Sequence, residues 1–358
     1  MKSTGTFTLG TLDGRLNRAQ TQIVIEKLHR AHPKAIFDMV TVSESSLHRD
    51  RDAELYSSHA PAEVAFLQQQ LLEGKYQMLD LCAEDLKLPL PDGLVVAAVL
   101  SRDTPYDALL HKEGVIADDL PEGTVVGVLS YRSQAQICTL WPQLKPVLLR
   151  GGTVAALNRF VQQDEVECLV IPAAVGERLG VQDMVSEIFF PEMMLPGAGQ
   201  GLIALLARED DAQTIAMAEA VDSAPSRQEM IGELAFRERI CSDRDCPVGV
   251  LAQANDGNLI ITGAVGSRSG AAPTQAVVKG DAEAARDLGT RLAEELLQNT
   301  SSLIALVEAD FPDGLPDEPG DALSAEEEPT LKEGVLEDLE PVVDEEDLDA
   351  YAPPRDDL

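Results

Sequence analysis

The sequence predicts two α/β units, then an α+β unit, then an acidic tail. Three observations predict it. From residue 6 to about residue 171, apolar runs of strand length alternate with amphipathic stretches of helical length. After Gln200 the order changes to a helix, three consecutive strand patterns and a closing helix, as expected for helices laid against an antiparallel sheet. From Asp310 onward Pro, Gly and acidic residues dominate, with too little apolar surface to offset the entropy of ordering. A chain of 358 residues is long enough for two or three domains.

Taken in order, residues 6–9 and 35–40 read as short buried strands around a helix over 16–30. Leu16, Ala19, Ile23 and Lys27 fall on one stripe of that helix, and Pro33 stops it. A helix over 61–72 and strands over 78–81 and 94–100 continue the alternation. A second series follows: strand 124–128, helix 134–141, strand 147–149, helix 154–162 and strand 168–171. This pattern implies largely parallel sheets covered on both faces. Residues 201–206 read as one more strand. The third unit comprises a helix over 226–239, strands over 248–252, 259–265 and 275–279, and a helix over 282–298. Asp256-Gly257 supplies a hairpin turn between its first two strands.

Composition excludes several classes. The net charge is −34, and residues 310–358 hold 19 acidic against 2 basic side chains, so half of it lies in the tail. Both halves repel phosphate backbones, which argues against nucleic-acid binding. No apolar run approaches the roughly 18 residues of a membrane span, the best being GLVVAAVL at 93–100. MKSTGTFTLG lacks the apolar core of a secretory signal, so the expected location is the cytoplasm. Five scattered cysteines (Cys82, Cys138, Cys168, Cys241, Cys246) read as buried thiols of a reducing compartment rather than a disulfide framework. Without a second close pair or a nearby histidine, Cys241 and Cys246 do not form a zinc site, and no metal is expected. The five histidines show no triad or ligand spacing.

Five ordered stretches resemble the porphobilinogen deaminase (hydroxymethylbilane synthase) family across residues 5–309. GTLDGRLNRAQ (10–20) resembles G-T-R-x-S-x-L-A-x-x-Q. LLEGKYQMLDLCAEDLKLPLPDGLVVAAVLSRDTPYDAL (71–109) resembles L-L-x-G-x-x-D-x-A-V-H-S-L-K-D-x-P continued through P-x-D-A-L. VGVLSYRSQAQ (126–136) is similar to G-T-S-S-L-R-R-x-A-Q, and LLRGGTVAAL (148–157) to L-R-G-N-V-x-T-R-L. FFPEMMLPGAGQGLIAL (189–205) carries the most specific motif, MLPGAGQG. The resemblance implies two α/β domains like a bilobal solute-binding protein, over residues 1–100 with 198–220 and over 101–197. Their crossovers lie near residues 100 and 195. An α+β domain over 221–309 and the disordered tail over 310–358 complete the expected division. Gly199, Gln200 and Gly201 would sit where the chain re-enters the first domain, as a hinge needing glycine torsions or as a substrate contact.

The family condenses four porphobilinogens on a dipyrromethane cofactor thioether-linked to a cysteine, releasing ammonia. Each pyrrole brings two carboxylates, which bidentate arginines suit, while an aspartate stabilises cationic intermediates. By the resemblance, Asp85 matches that catalytic aspartate. Arg132, Arg150 and Arg102 match basic substrate-binding positions. Other positions depart: Leu12 and Gly14 replace an arginine and a serine, Glu84 the lysine of S-L-K-D, Ser133 the second arginine of R-R, and Ala156 the arginine of T-R-L. HAPAE at 59–63 replaces a G-G-K-G loop. In AFRERICSDRDCPVGV (235–250), counting back from Pro247-Val248-Gly249 puts Arg244 at the cofactor cysteine. Each unpaired carboxylate costs on the order of 1.5 to 3 kcal/mol.

Three readings follow. The first is a catalytically impaired member of this tetrapyrrole-synthesis family, without dipyrromethane, that keeps its body for binding or assembly. Its ligand is a tetrapyrrole precursor or a less anionic molecule, because Leu12, Ser133 and Ala156 make the cleft less basic and roomier. The second is an active synthase whose loop is two residues shorter, with Cys246 holding the dipyrromethane and Asp85 catalytic. In an ungapped alignment Cys246 is instead an apolar residue opening a strand. The third is an interaction protein acting through its tail, where Leu331, Val335, Leu336 and Leu339 form an amphipathic motif for a protein partner. A monomer is expected.

Overall fold

The computed structural model describes residues 5–42, 61–163, 165–240, 246–267 and 270–299. The expected acidic tail, the 43–60 segment and Arg244 lie outside the described residues.

The chain opens with β1 (Thr6–Leu12), α1 (Arg15–Ala31), β2 (Ile36–Val42), α2 (Pro61–Leu72), β3 (Met78–Cys82) and β4 (Leu94–Val99). Along β1 and β3 successive side chains enter opposite cores: Phe7, Leu9 and Met78 join one, Leu12, Leu79 and Leu81 the other. This two-sided burial is what a covered sheet requires. The buried stripe of α1 is Leu16, Gln20, Thr21, Val24 and Leu28, displaced from the predicted Leu16, Ala19, Ile23 and Lys27. The displacement has a cause in β3. Asp80 is buried there, and Gln20 Nε2 (3.1 Å) and Thr21 Oγ1 (2.9 Å) donate to its carboxylate, so two polar residues join the core face as its partners.

The second sheet is built from β5 (Asp107–His111), β6 (Val125–Val128), α3 (Tyr131–Leu140), β7 (Lys145–Leu148), α4 (Gly152–Asn158), β8 (Cys168–Pro172), α5 (Ala173–Leu179) and β9 (Val185–Phe189). α4 continues into a π-helical turn at Arg159–Gln163. β10 (Ile203–Arg208) then returns to the first sheet, followed by α6 (Ala212–Ala218), α7 (Ala224–Ile240), β11 (Val248–Asn255), β12 (Asn258–Val265), β13 (Thr274–Asp281) and α8 (Ala285–Asn299). β5, α5, β9 and α6 have no counterpart among the predicted elements. α5 and α6 are seven residues each, too short for periodicity to mark.

The sheet orders are β2-β1-β3-β10-β4, β7-β6-β8-β5-β9 and β11-β12-β13. In each five-stranded sheet one strand opposes the others, β10 in the first and β5 in the second. These two strands follow the crossovers, so "largely parallel" holds for four of five strands in each. The third sheet is antiparallel throughout. Its inner face packs Val250, Leu259, Ile261 and Val278 against Phe236 of α7 and Leu288, Leu292 and Leu296 of α8. The helices can cross closely because a Cβ on Gly289 would meet the Gly232 carbonyl. All three sheets belong to one compact unit, a mixed α/β body with an α+β module. Among the described residues no helix is long and apolar enough to cross a membrane.

Candidate functional site

The crossover running from β9 into β10 lies at the centre of the candidate site. Gly199 and Gly201 have φ of 85° and 78°, in the left-handed region that glycine tolerates. A Cβ on Gly199 would stand 2.7 Å from the Ala83 carbonyl carbon, and one on Gly201 2.9 Å from the Asp103 carbonyl oxygen. Both glycines therefore let this crossover press against the 3₁₀ turn Ala83–Asp85 and against the first crossover.

Polar contacts fix the segment from two sides. From α7, buried Glu233 accepts from Gly199 N (2.7 Å) and Ala252 N (2.7 Å). It is gripped by Arg102, whose Nη1 and Nη2 lie 2.6 and 3.1 Å from its two oxygens. Arg102 also donates to the Gln200 carbonyl from Nε and Nη2. Glu229 stands 3.7 Å from the same guanidinium, and burial raises the pKa of Glu229 against the pull of that cation. From α3, Arg132 donates to Asp107 (2.6 Å), to the Leu195 carbonyl (2.9 Å) and to Gln200 Oε1 (3.3 Å). Gln200 Nε2 returns to Asp107 Oδ1 and to the Pro105 carbonyl.

A third contact joins the two larger lobes. Arg178 of α5 donates to Asp103 (2.8 Å) and to Gln20 Oε1 (3.2 Å), which also accepts from the Cys82 thiol. Burial works against the charge of Arg178, but Cys82 and Asp103 outweigh it and raise its pKa.

Beside these contacts lies a cavity of about 80 Å³, lined among others by Glu84, Ser130, Arg132, Ser133, Thr153, Gly197, Gln200, Arg237 and Cys246. A methyl group placed on Gly197 would lie 3.3 Å from Glu84 Oε1, 3.4 Å from Gln200 Oε1 and 3.7 Å from Arg132 Nε. Ser130 caps α3 by accepting from Ser133 N (2.8 Å), and the two hydroxyl oxygens are 2.7 Å apart. Arg237 reaches in from α7 while donating to the Glu84 and Leu86 carbonyls.

Among the candidates read from the sequence, Arg132 and Cys246 line this cavity, whereas Asp85, Arg102 and Arg150 are not among its walls. Asp85 is buried in the 3₁₀ turn next to Glu84. Arg102 is buried against Glu233, and Arg150 follows β7 half-buried. Arg244 lies outside the described residues. Cys246 is disulfide-bonded, which corrects the expectation of five free thiols; Cys82, Cys138 and Cys168 are free. Of the three residues on which the roomier cleft was expected to rest, Ser133 lines the cavity and the other two do not. Leu12 and Ala156 are fully buried in the two lobe cores, so substitutions there enlarge no cleft. Sequence reasoning missed Glu233, Asp107 and Arg237. Glu233 carried a readable signal: an acid between Met230 and Leu234 on a buried helical face requires a cationic partner.

Comparison with known proteins places this geometry. The family described as "Porphobilinogen deaminase, dipyromethane cofactor binding domain" matches residues 7–216, and "Porphobilinogen deaminase, C-terminal domain" matches residues 229–298. The porphobilinogen deaminase of Brevibacillus brevis is 30% identical over 85% of this chain and 98% of its own length. That of a Roseiflexus species is 31% identical over 84% and 99%. Among solved structures, the methionine-binding protein MetQ covers 64% of this chain and 94% of its own, at 14% identity and a TM-score of 0.39. On the profile matches and relatives together, the chain belongs to the porphobilinogen deaminase family.

Proposed function

We propose that this chain no longer performs the condensation of its family and retains the body as a binding scaffold. The observation that carries the reading is which basic residues survive. Arg102 and Arg132 are engaged by Glu233 and Asp107 and hold the crossover segment. Asp107 and Gln200 belong to the matched P-x-D-A-L and MLPGAGQG stretches, so these two arginines serve the scaffold, and their retention needs no substrate. By the resemblance, charge was lost instead at Leu12, Glu84, Ser133 and Ala156.

The residues present do not fit a dipyrromethane. Two pyrrole rings with four carboxylates require a pocket of several hundred Å³ and several cations. This cavity measures about 80 Å³ and carries Glu84 where the family has lysine. A thioether requires a free thiol, and Cys246 is in a disulfide. The alternative, an active synthase on Cys246, draws support from the place of that residue in the cavity wall.

Intact-protein mass spectrometry of the chain expressed with porphobilinogen, before and after reduction, tests both. The expected spectrum is the bare polypeptide with no colour in Ehrlich's reagent. An added mass of two pyrroles that survives thiol reduction overturns the reading in favour of the synthase.

A further inference from the structure

The third sheet has one closed edge and one open edge. On β11, Val250 N donates to the Pro196 carbonyl (2.9 Å), Ala252 N to Glu233 (2.7 Å) and Ala254 N to Glu229 (3.0 Å). These three residues point away from β12, so by alternation Gly249, Leu251 and Gln253 bond to it. β12 in turn offers Leu259, Ile261 and Gly263 to β13, where they meet Gly280, Val278 and Ala276. That leaves the N–H and C=O of Gln275, Val277 and Lys279 facing outward. Arg291 Nη2 donates to the Lys279 carbonyl from that side (3.3 Å), in agreement. Among the described residues nothing bonds to the outward groups of Gln275 or Val277.

Other edges of the molecule are guarded. Asp222 and Arg227 bond to backbone groups of β4, and Pro146 interrupts the four residues of β7. β13 runs for eight residues without a proline. On its outer face Val277 is 56% exposed, and Ile260 on the next strand is 38% exposed. Such an edge is a template for another strand.

The residues of this edge fit a second copy of themselves, antiparallel about a two-fold axis. With Val277 opposite Val277 of the partner subunit, Gln275 faces the partner's Lys279. Each outward residue then exchanges its N–H and C=O with one counterpart. The valines and the flanking Ile260 side chains form one apolar stripe across the seam. A shift toward Gln275 sets Pro273, which has no N–H, against Lys279 or Val277. A shift toward Asp281 brings the two Lys279 ammonium groups beside or opposite each other, which is unfavourable for like charges.

We propose that β13 pairs with β13 of a second copy of this chain, centred on Val277, so that two three-stranded sheets become one continuous sheet. A single strand pair buries less than about 1,000 Å², so the chain is a monomer when dilute and a dimer when concentrated.

Sedimentation equilibrium of the full chain from about 10 µM to about 1 mM tests this. In about 0.15 M salt the Debye length is about 8 Å, so the net charge of −34 is largely screened while residues directly opposite each other are not. The expected result is a reversible monomer–dimer equilibrium. Val277→Pro removes the central N–H on the side away from β12 and should weaken the dimer about tenfold or more. Gln275→Glu should tighten it and Gln275→Lys weaken it, each by about threefold, because the opposite residue is a lysine. Thermal melting shows whether each variant unfolds like the parent, and if Val277→Pro melts early the two exposed Gln275 variants decide. A monomer over the whole range overturns the proposal and leaves the edge to some other strand. A dimer unchanged in a folded Val277→Pro overturns it as well, as do reversed signs at Gln275, which would set that residue against the partner's Asp281.

Discussion

Glu233 shows how much rests on one side chain. It is fully buried, holds the Arg102 guanidinium through both oxygens and receives two backbone N–H groups from different segments. Removing one partner of a buried ion pair costs about 3 to 5 kcal/mol, because the remaining charge is left uncompensated. Glu233→Gln should therefore lower the unfolding free energy by an amount in that range, measured by equilibrium unfolding in urea. The Arg239–Glu294 pair is half exposed on both sides, and Glu294→Gln should change stability by under about 1 kcal/mol. Equal effects at the two sites would remove the special role assigned to Glu233. Of the residues singled out from the sequence, Arg132 and Cys246 reach the cavity, whereas Asp85, Arg102 and Arg150 are not among its walls. The state of Arg132 was not readable, because its ion pair is set by Asp107, 25 residues away in the chain.

At the scale of elements, the crossover between β9 and β10 depends on glycine for contact as much as for torsion. Gly199→Ala combines a left-handed φ with a Cβ 2.7 Å from backbone that cannot turn away. A destabilisation of at least 1 to 3 kcal/mol is expected, whereas Gly257→Ala, in a hairpin with open space around it, bears the torsional part alone. Calorimetric melting of the two variants compares them, and equal losses would mean that the contact contributes nothing. The long elements were legible because apolar period and length agreed: α2 was predicted over its observed span, and α7, β11, β12 and α8 were found with ends shifted by a few residues. α1 was found with its buried face misassigned, since hydropathy cannot show that Gln20 and Thr21 answer Asp80. α5 and α6 went unseen because seven residues give less than two full helical turns.

For the molecule as a whole, protons held in the two lobe cores tie stability to alkaline pH. Burial, with Glu167 adding to it, pushes the Cys168 thiol up to about 12. Burial and Asp80 raise the Tyr76 phenol, whose hydroxyl donates to the Leu67 carbonyl. Both groups hold their protons more tightly folded than unfolded. Their stabilisation is complete below the unfolded thiol value near 9 and is lost as pH rises toward the folded values. The urea midpoint should fall from about pH 9 upward, and Cys168→Ala should remove the earlier part of that slope. A slope unchanged by the substitution would assign the loss elsewhere.

The placement of β10 also has a consequence for the order of synthesis. β3 and β4 do not pair with each other; β10, made more than a hundred residues after β4, sits between them. The second sheet needs only residues 107–189 and can close while β10 is still unmade. A nascent chain growing from its N-terminus would thus finish its later lobe first, and leave β3 and β4 with open edges until the strand that joins them emerges.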